Sequence, residues 1–260
     1  MEKLTIVKIG GKVLDDFAAL NGVMDQFALI DGAKLLVHGG GKAATDIAGK
    51  LGVEAPMVNG RRITNAAMLE VAMMVYGGLM SRQMVAGLQK RGMNAVGLTG
   101  ADMDVIRAVK RPVKDIDYGL AGDVSAVNTE RLTWLLEAGI VPVLAPLTHD
   151  GNGQLLNTNA DTIAGTVAAG MSRFFEVSLV YCFERTGVLA DPNDDHSVIS
   201  SITRPDFDQY VKAGTIAGGM IPKLENAFES LAAGVKAVFI CQSDALGEIY
   251  SDNYPGTKIH

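Results

Sequence analysis

Several short runs of this chain are apolar on both faces. A soluble chain satisfies such runs most readily as strands of a parallel sheet covered by helices. Residues 4–9, 33–37, 95–98, 140–144, 179–183 and 237–241 read as these strands. Between them lie longer segments with apolar residues at helical spacing, such as 43–51 and 66–90. Strand alternating with helix predicts an α/β fold, here a three-layer αβα sandwich around a mainly parallel central sheet. The 30 glycines in 260 residues exceed the roughly 7% background and sit beside the apolar runs, so they mark tight strand-to-helix turns rather than a linker.

Two stretches break the alternation. Residues 105–109 and 119–127 read as hairpin material, with Tyr118-Gly119 and Gly122-Asp123 as turn signals, and would form a β-flap beside the main sheet. A subdivision is expected near residues 170–173, giving an N-terminal half of 1–172 and a C-terminal half of 173–260. A net charge of −6 leaves no basic footprint for nucleic acid or an anionic membrane. Cys182 and Cys241 lie inside apolar runs, without a CxxC neighbour or a histidine cluster, and read as reduced and buried. With no signal peptide and no membrane-length apolar segment, the expected compartment is the cytoplasm.

Five polar clusters stand between these elements. Lys8-Ile9-Gly10-Gly11-Lys12 closes the first strand. Paired glycines let a backbone approach a ligand, and a lysine there directs its charge at a phosphate. His38-Gly39-Gly40-Gly41-Lys42 joins a strand to a helix. Its glycine spacing satisfies the dinucleotide fingerprint formally, but the acidic residue that fingerprint requires is missing and no Walker loop occurs. His38 reads as a hydrogen-bonded structural residue rather than a general base. In Asn59-Gly60-Arg61-Arg62-Ile63-Thr64, arginine beside a helix start can fork onto a carboxylate, and Thr64 is the expected cap. Asn157-Thr158-Asn159-Ala160-Asp161 precedes a small-residue helix, where capping by Asn159 or Asp161 is the alternative to a ligand role. Gly218-Gly219-Met220-Ile221-Pro222-Lys223 puts a lysine near a helix N-terminus, where the macrodipole disfavours a cation. His196 with Asp194 and Asp195 reads as a solvated loop, and no protein-bound metal is expected.

The order of these clusters closely resembles that of the N-acetylglutamate kinases, a branch of the amino-acid kinase superfamily that also holds carbamate kinase, aspartokinase and UMP kinase. The resemblance spans nearly the whole chain, and the NGxRxT and NxNAD segments favour this branch. It implies that Lys8 and Lys223 contact the transferring phosphoryl group and that Asp161 holds both lysines. It further implies that Gly10 and Gly11 line the phosphates, while Gly40, Gly41, Arg62 and Asn157 bind the acyl-amino-acid. The nucleotide would lie across Glu184, Arg185, Thr186, Gly187, Val188 and Leu189 and across Thr215, Ile216 and Ala217. In Phe183-Glu184-Arg185-Thr186-Gly187 the chain departs from the Ser/Thr-Asp-Val usual before that glycine.

The implied reaction is ATP-dependent phosphorylation of the side-chain carboxylate of an N-acyl-L-glutamate, acetyl by default and succinyl as the alternative, on the way to arginine. ATP would arrive with Mg²⁺ on its phosphates. A carboxylate nucleophile is already ionised near neutral pH, so no general base is needed. Alternatives are another small-molecule kinase of the same family, a non-catalytic sensor with this fold, and a nicotinamide oxidoreductase. The methionines and glycines of 66–90 exceed what one sheet face needs, so this helix is expected to build a two-fold homodimer. Arginine-inhibited relatives add a helix before the first strand. That strand begins almost at Met1 here, so a dimer largely insensitive to arginine is expected.

Overall fold

The structure is a computed structural model that describes residues 1–14, 16–58, 60–218 and 220–260. Asn59 and Gly219, singled out above, lie outside the described residues. The chain divides into two compact units, Met1–Lys34 with Ala164–His260 and, separately, Leu35–Ile163. The cut falls inside the Ala160–Met171 helix, and the first 34 residues belong with the C-terminal ones. The reason is strand pairing: Lys3–Ile9 runs parallel to Glu176–Phe183 along its full length, from Lys3 opposite Glu176 to Ile9 opposite Cys182.

In the first unit the strand order is Ser201–Ile202, Thr257–Ile259, Ala237–Gln242, Glu176–Phe183, Lys3–Ile9, with only the Ala237–Gln242 and Thr257–Ile259 pair antiparallel. The apolar reading of these strands holds. Leu4, Ile6, Val7, Val177, Leu179, Val180 and Val238 are all completely buried. Truncating one of them, Ile6→Ala for instance, costs about 2–5 kcal/mol. The Phe17–Leu29 helix is capped at its start by Asp16, which accepts from the Ala19 N–H. Its end is held by Lys34, whose ammonium donates to the Phe27, Ala28 and Ile30 carbonyls. That cation therefore answers the carbonyls a helix end leaves unsatisfied.

The second unit has residues 35–38 of the Ala33–His38 strand, Val141–Leu144 and Ala95–Leu98 as parallel neighbours in that order. The expected flap is present as an antiparallel pairing of Ile106–Lys110 with Gly122–Val127, bulged between Arg107 and Ala108. Gly119 lies between them at φ +65 and bridges to Thr64. Gly122 is not a turn residue, because it lies within a strand. A Cβ there would stand 2.8 Å from Thr158 Oγ1 and 2.9 Å from Leu156 Cβ, so close packing requires this glycine. The segment 66–90 is helical throughout but not uniformly α. Ala66–Ala72 and Ser81–Lys90 flank a π-helical stretch, Met73–Met80. Period-based reading cannot detect such a local widening. Among the described residues, no helix is long and apolar enough to cross a membrane.

Candidate active site

The residues expected to meet phosphate and nucleotide all belong to the first unit. Lys8 sits in the Lys3–Ile9 strand opposite Tyr181. Its side chain bends across Gly10, so closely that a Cβ on Gly10 would lie 2.3 Å from Lys8 Nζ. The ammonium thus takes the place a side chain would need. Gly10 donates its N–H to the Cys182 carbonyl (3.1 Å), which ties the turn to the end of the neighbouring strand. Gly11 opens the short 3₁₀ turn Gly11–Leu14. Lys223, in the second turn of the Met220–Ala232 helix, lies over the Phe183 ring at 4.3 Å from its centroid. A cation over a buried ring is held in direction. Lys8 and the Phe183 platform stand at the carboxyl ends of two paired parallel strands, where open α/β sheets take ligands.

The adenine-side segment is mixed. Glu184 and Arg185 are exposed, and Arg185 pairs with Asp195 at 3.1 Å, a solvated contact of small energetic value. Thr186 donates to the Gln242 side chain at 3.4 Å. A Cβ at Gly187 would meet Thr257 Oγ1 at 2.6 Å, and the buried Val188 donates its N–H to that hydroxyl at 2.8 Å. Leu189 bridges to Val198. Ile216 is buried, with Thr215 half-buried and Ala217 exposed beside it. Packing therefore already accounts for Gly187, Val188 and Ile216. Glu184, Arg185, Thr215 and Ala217 keep surface for a ligand.

The expected acyl-amino-acid residues all belong to the second unit. Arg62 is only 7% exposed, yet all of its hydrogen-bond partners are neutral. It donates to the Ala55 carbonyl (3.2 Å), the Gly41 carbonyl (2.7 Å) and Thr45 Oγ1 (2.8 Å). Among the described residues no carboxylate pairs with it. Gly40 caps the Gly41–Lys50 helix with φ +137, and a Cβ there would stand 3.1 Å from the Tyr76 ring. Tyr76 comes from the π-helical stretch, and burial raises its phenol pKa above the ordinary value, with the nearby Arg62 opposing. The Asn157 amide donates to Thr64 Oγ1 at 2.9 Å, which in turn donates to the Arg62 carbonyl at 3.2 Å. Thr64 is therefore not the helix cap. Asn65 is, accepting from the Met68 N–H. Asn159 Oδ1 accepts from the Asp161 and Thr162 N–H groups (2.8 and 3.0 Å), so Asn159 caps this helix.

His38 is fully buried, with Nδ1 2.8 Å from the Gly39 carbonyl, and burial lowers its pKa to about 4. It is hydrogen-bonded, as read from sequence, and its lowered pKa leaves it neutral near pH 7. The expected solvated loop also holds: Asp194 accepts from the His196 N–H and Asp195 engages Arg185. Sequence reasoning missed Phe183, Tyr76 and Thr45. Thr45 carried a usable signal, standing one helical turn after Gly41. A groove of about 400 Å³ lined by Arg111, Lys114, Tyr118 and Asp123 contains no expected site residue, and the Arg111–Asp123 ion pair already satisfies its main charges.

Comparison with known proteins gives the same direction. The pattern of the amino acid kinase family matches residues 3–242. An acetylglutamate kinase of Bacteroides thetaiotaomicron is 59% identical over 258 residues, covering 99% of this chain and 98% of that protein. The crystal structure of smu.665 from Streptococcus mutans is similar with a TM-score of 0.77 at 27% identity, covering 98% of each chain. Carbamate kinase from Giardia lamblia bound to AMP-PNP shares the fold, with a TM-score of 0.68 at 15% identity over 99% of this chain and 98% of that one. The chain belongs to the amino acid kinase family, and within it to the acetylglutamate kinases.

Proposed function

We propose that this chain transfers the γ-phosphoryl group of ATP to the side-chain carboxylate of an N-acyl-L-glutamate, with acetyl as the acyl group. The product is an acyl phosphate, an activated intermediate for a reductive step toward arginine. The observation that carries this reading is the buried guanidinium of Arg62 with only neutral partners. A buried cation without a counter-ion is costly, and a carboxylate ligand offsets that cost through a charge-assisted contact to the guanidinium. The helix N-terminus at Gly41 adds N–H donors to the same place. Relatives that share most of this sequence bear the name acetylglutamate kinase.

In this reading Arg62 holds a carboxylate that does not react, Gly40 and Gly41 present N–H groups, and Asn157 orients the acyl-amide. Lys8 and Lys223 place positive charge on the phosphoryl oxygens, where charge spreads in the transition state. Asp161 is the carboxylate of the catalytic set. Gly10 and Gly11 let the backbone approach the phosphates, and the nucleotide rests on Glu184–Leu189 and Thr215–Ala217. Two ammonium groups and glycine N–H donors suit a polyphosphate, whose Mg²⁺ supplies further charge neutralisation. The enzyme is read as a cytoplasmic homodimer. Met73, Met74 and Leu79, exposed on the 66–90 helical segment, are its proposed apolar contact. ADP release from Mg-ATP across acetylglutamate, succinylglutamate, free glutamate, aspartate, carbamate and UMP tests the reading. Turnover is expected with the N-acyl glutamates alone.

A further inference from the structure

Each carbonyl of the Gly39-Gly40-Gly41 turn is tied to a donor of the protein. The Gly40 carbonyl accepts from the Ala44 N–H at 3.0 Å, as the first bond of its helix. The Gly41 carbonyl accepts from Arg62 Nη2 at 2.7 Å and from the Thr45 hydroxyl at 2.9 Å. The Gly39 carbonyl lies before the helix, beyond the reach of helical bonding. Its partner is the Nδ1–H of His38 at 2.8 Å.

A peptide unit is planar and its C=O and N–H point in opposite directions. Fixing the three carbonyls therefore fixes the N–H groups of Gly40, Gly41 and Lys42 on the other side. That of Gly41 belongs to the first turn of the helix, where no preceding carbonyl reaches it. The φ of +137 at Gly40, a conformation other residues avoid, lets the chain pass from one pinned peptide to the next. The turn so built shows a ligand donors only, and suits an oxygen acceptor such as a carboxylate or an acyl carbonyl.

His38 bears a cost in this position. Because Nδ1 faces a carbonyl it carries the proton, and Nε2 is left as a bare acceptor. Nε2 is buried and, among the described residues, has no hydrogen-bond partner. An orphaned buried acceptor is unfavourable, and a residue chosen for packing alone would avoid it. We propose that His38 is a positioning residue: its Nδ1–H holds the Gly39 carbonyl so that the triple-glycine turn faces the acyl-amino-acid as a donor-only cradle. This rests on the proposed acceptor substrate, and it acts through Gly39 rather than by touching that substrate.

Two substitutions and one spectroscopic measurement test it. His38→Leu removes the donor and the orphan together, so the fold is kept. The expected result is a rise of about tenfold in KM for acetylglutamate, the effect of one lost positioning hydrogen bond, with kcat and KM for ATP unchanged. His38→Asn places an amide N–H near the former Nδ1 and should restore most of the wild-type KM. ¹⁵N NMR of the wild-type ring near neutral pH should show the proton on Nδ1. Equal KM values in the Leu variant and wild type, failure of Asn to rescue a raised KM, or an Nε2–H ring would each overturn the inference. The ring measurement needs no substrate. An Nδ1–H ring in a protein that fails to turn over any N-acyl glutamate would sink the proposed activity and leave the positioning of Gly39 supported.

Discussion

Arg62→Met separates a ligand-holding arginine from a structural one. Methionine is close in length and apolar, so it fills the buried space while deleting the charge. Three hydrogen bonds disappear, to the Ala55 and Gly41 carbonyls and to Thr45 Oγ1. The Gly41 carbonyl keeps the Thr45 hydroxyl at 2.9 Å, so the Ala55 carbonyl is the main acceptor left unserved, at about 1–3 kcal/mol. Against this, removal of a buried charge without a counter-ion recovers a desolvation cost of comparable size. The two nearly cancel, and the unliganded variant should unfold at close to the wild-type temperature. Ligand binding should suffer far more. A charge-assisted contact to a carboxylate is worth up to about 3 kcal/mol, on the order of a hundredfold in KM for acetylglutamate, while KM for ATP stays put. The assay is a pair of melting curves with and without saturating acetylglutamate, alongside steady-state kinetics. Wild type should gain about 2.7 kcal/mol at a ligand concentration a hundred times Kd, and the variant almost none. A variant that melts far below wild type, with both KM values raised in parallel, would refute the reasoning and make Arg62 structural.

Gly10→Ala drives a methyl group into the position of Lys8 Nζ, a flexible chain end, so Tm should hold while kcat falls on the order of a hundredfold, as in Lys8→Ala and Lys223→Ala. Near-normal turnover in any of the three would remove that lysine from the mechanism. His38 titrates at about 4 when folded and near 6.5 when unfolded. Its contribution is therefore present above pH 6.5 and fades as pH falls toward 4, by on the order of 3 kcal/mol. Denaturant melts of wild type against His38→Leu across that window should show the Leu variant losing less stability, and identical slopes would contradict this. In kcat/KM, acetylglutamate is expected to beat succinylglutamate, and a tenfold preference the other way, about 1.4 kcal/mol, would reverse the acyl assignment. Light scattering should give twice the 27.4 kDa chain mass, reverting toward a monomer in Met74→Glu, whereas a wild-type monomer would dismiss the 66–90 interface.

The sheet was legible because its strands are buried on both faces, so 4–9 and 179–183 announce themselves by composition alone. Their partnership was not legible. Nothing local in residues 3–9 says that they pair with 176–183, so the grouping of the first strand with the C-terminal residues could not be read from sequence. The glycine turns were visible as motifs, but sequence could not say which glycine meets what. Gly10 yields to an ammonium, Gly40 to the Tyr76 ring, and Gly122 to neighbouring strands rather than to a turn. Capping was assigned to Thr64 when the adjacent Asn65 does it, a choice between two good caps that propensity cannot make. The charge state of Arg62 was equally hidden, since its isolation depends on which carboxylates the fold leaves out of reach. The π-helical turn that delivers Tyr76 breaks the period on which helix reading depends.

The central claim is that a carboxylate, and not a hydroxyl, amine or phosphate, accepts the phosphoryl group. Hydroxylamine converts an acyl phosphate to a hydroxamate, so the direct measurement is hydroxamate formed per ADP released, with Mg-ATP and acetylglutamate as the only substrates. The account predicts one hydroxamate for each ADP and none when acetylglutamate is omitted. ADP released without hydroxamate would contradict it, as would hydroxamate formed from free glutamate or aspartate in preference to the acylated substrate.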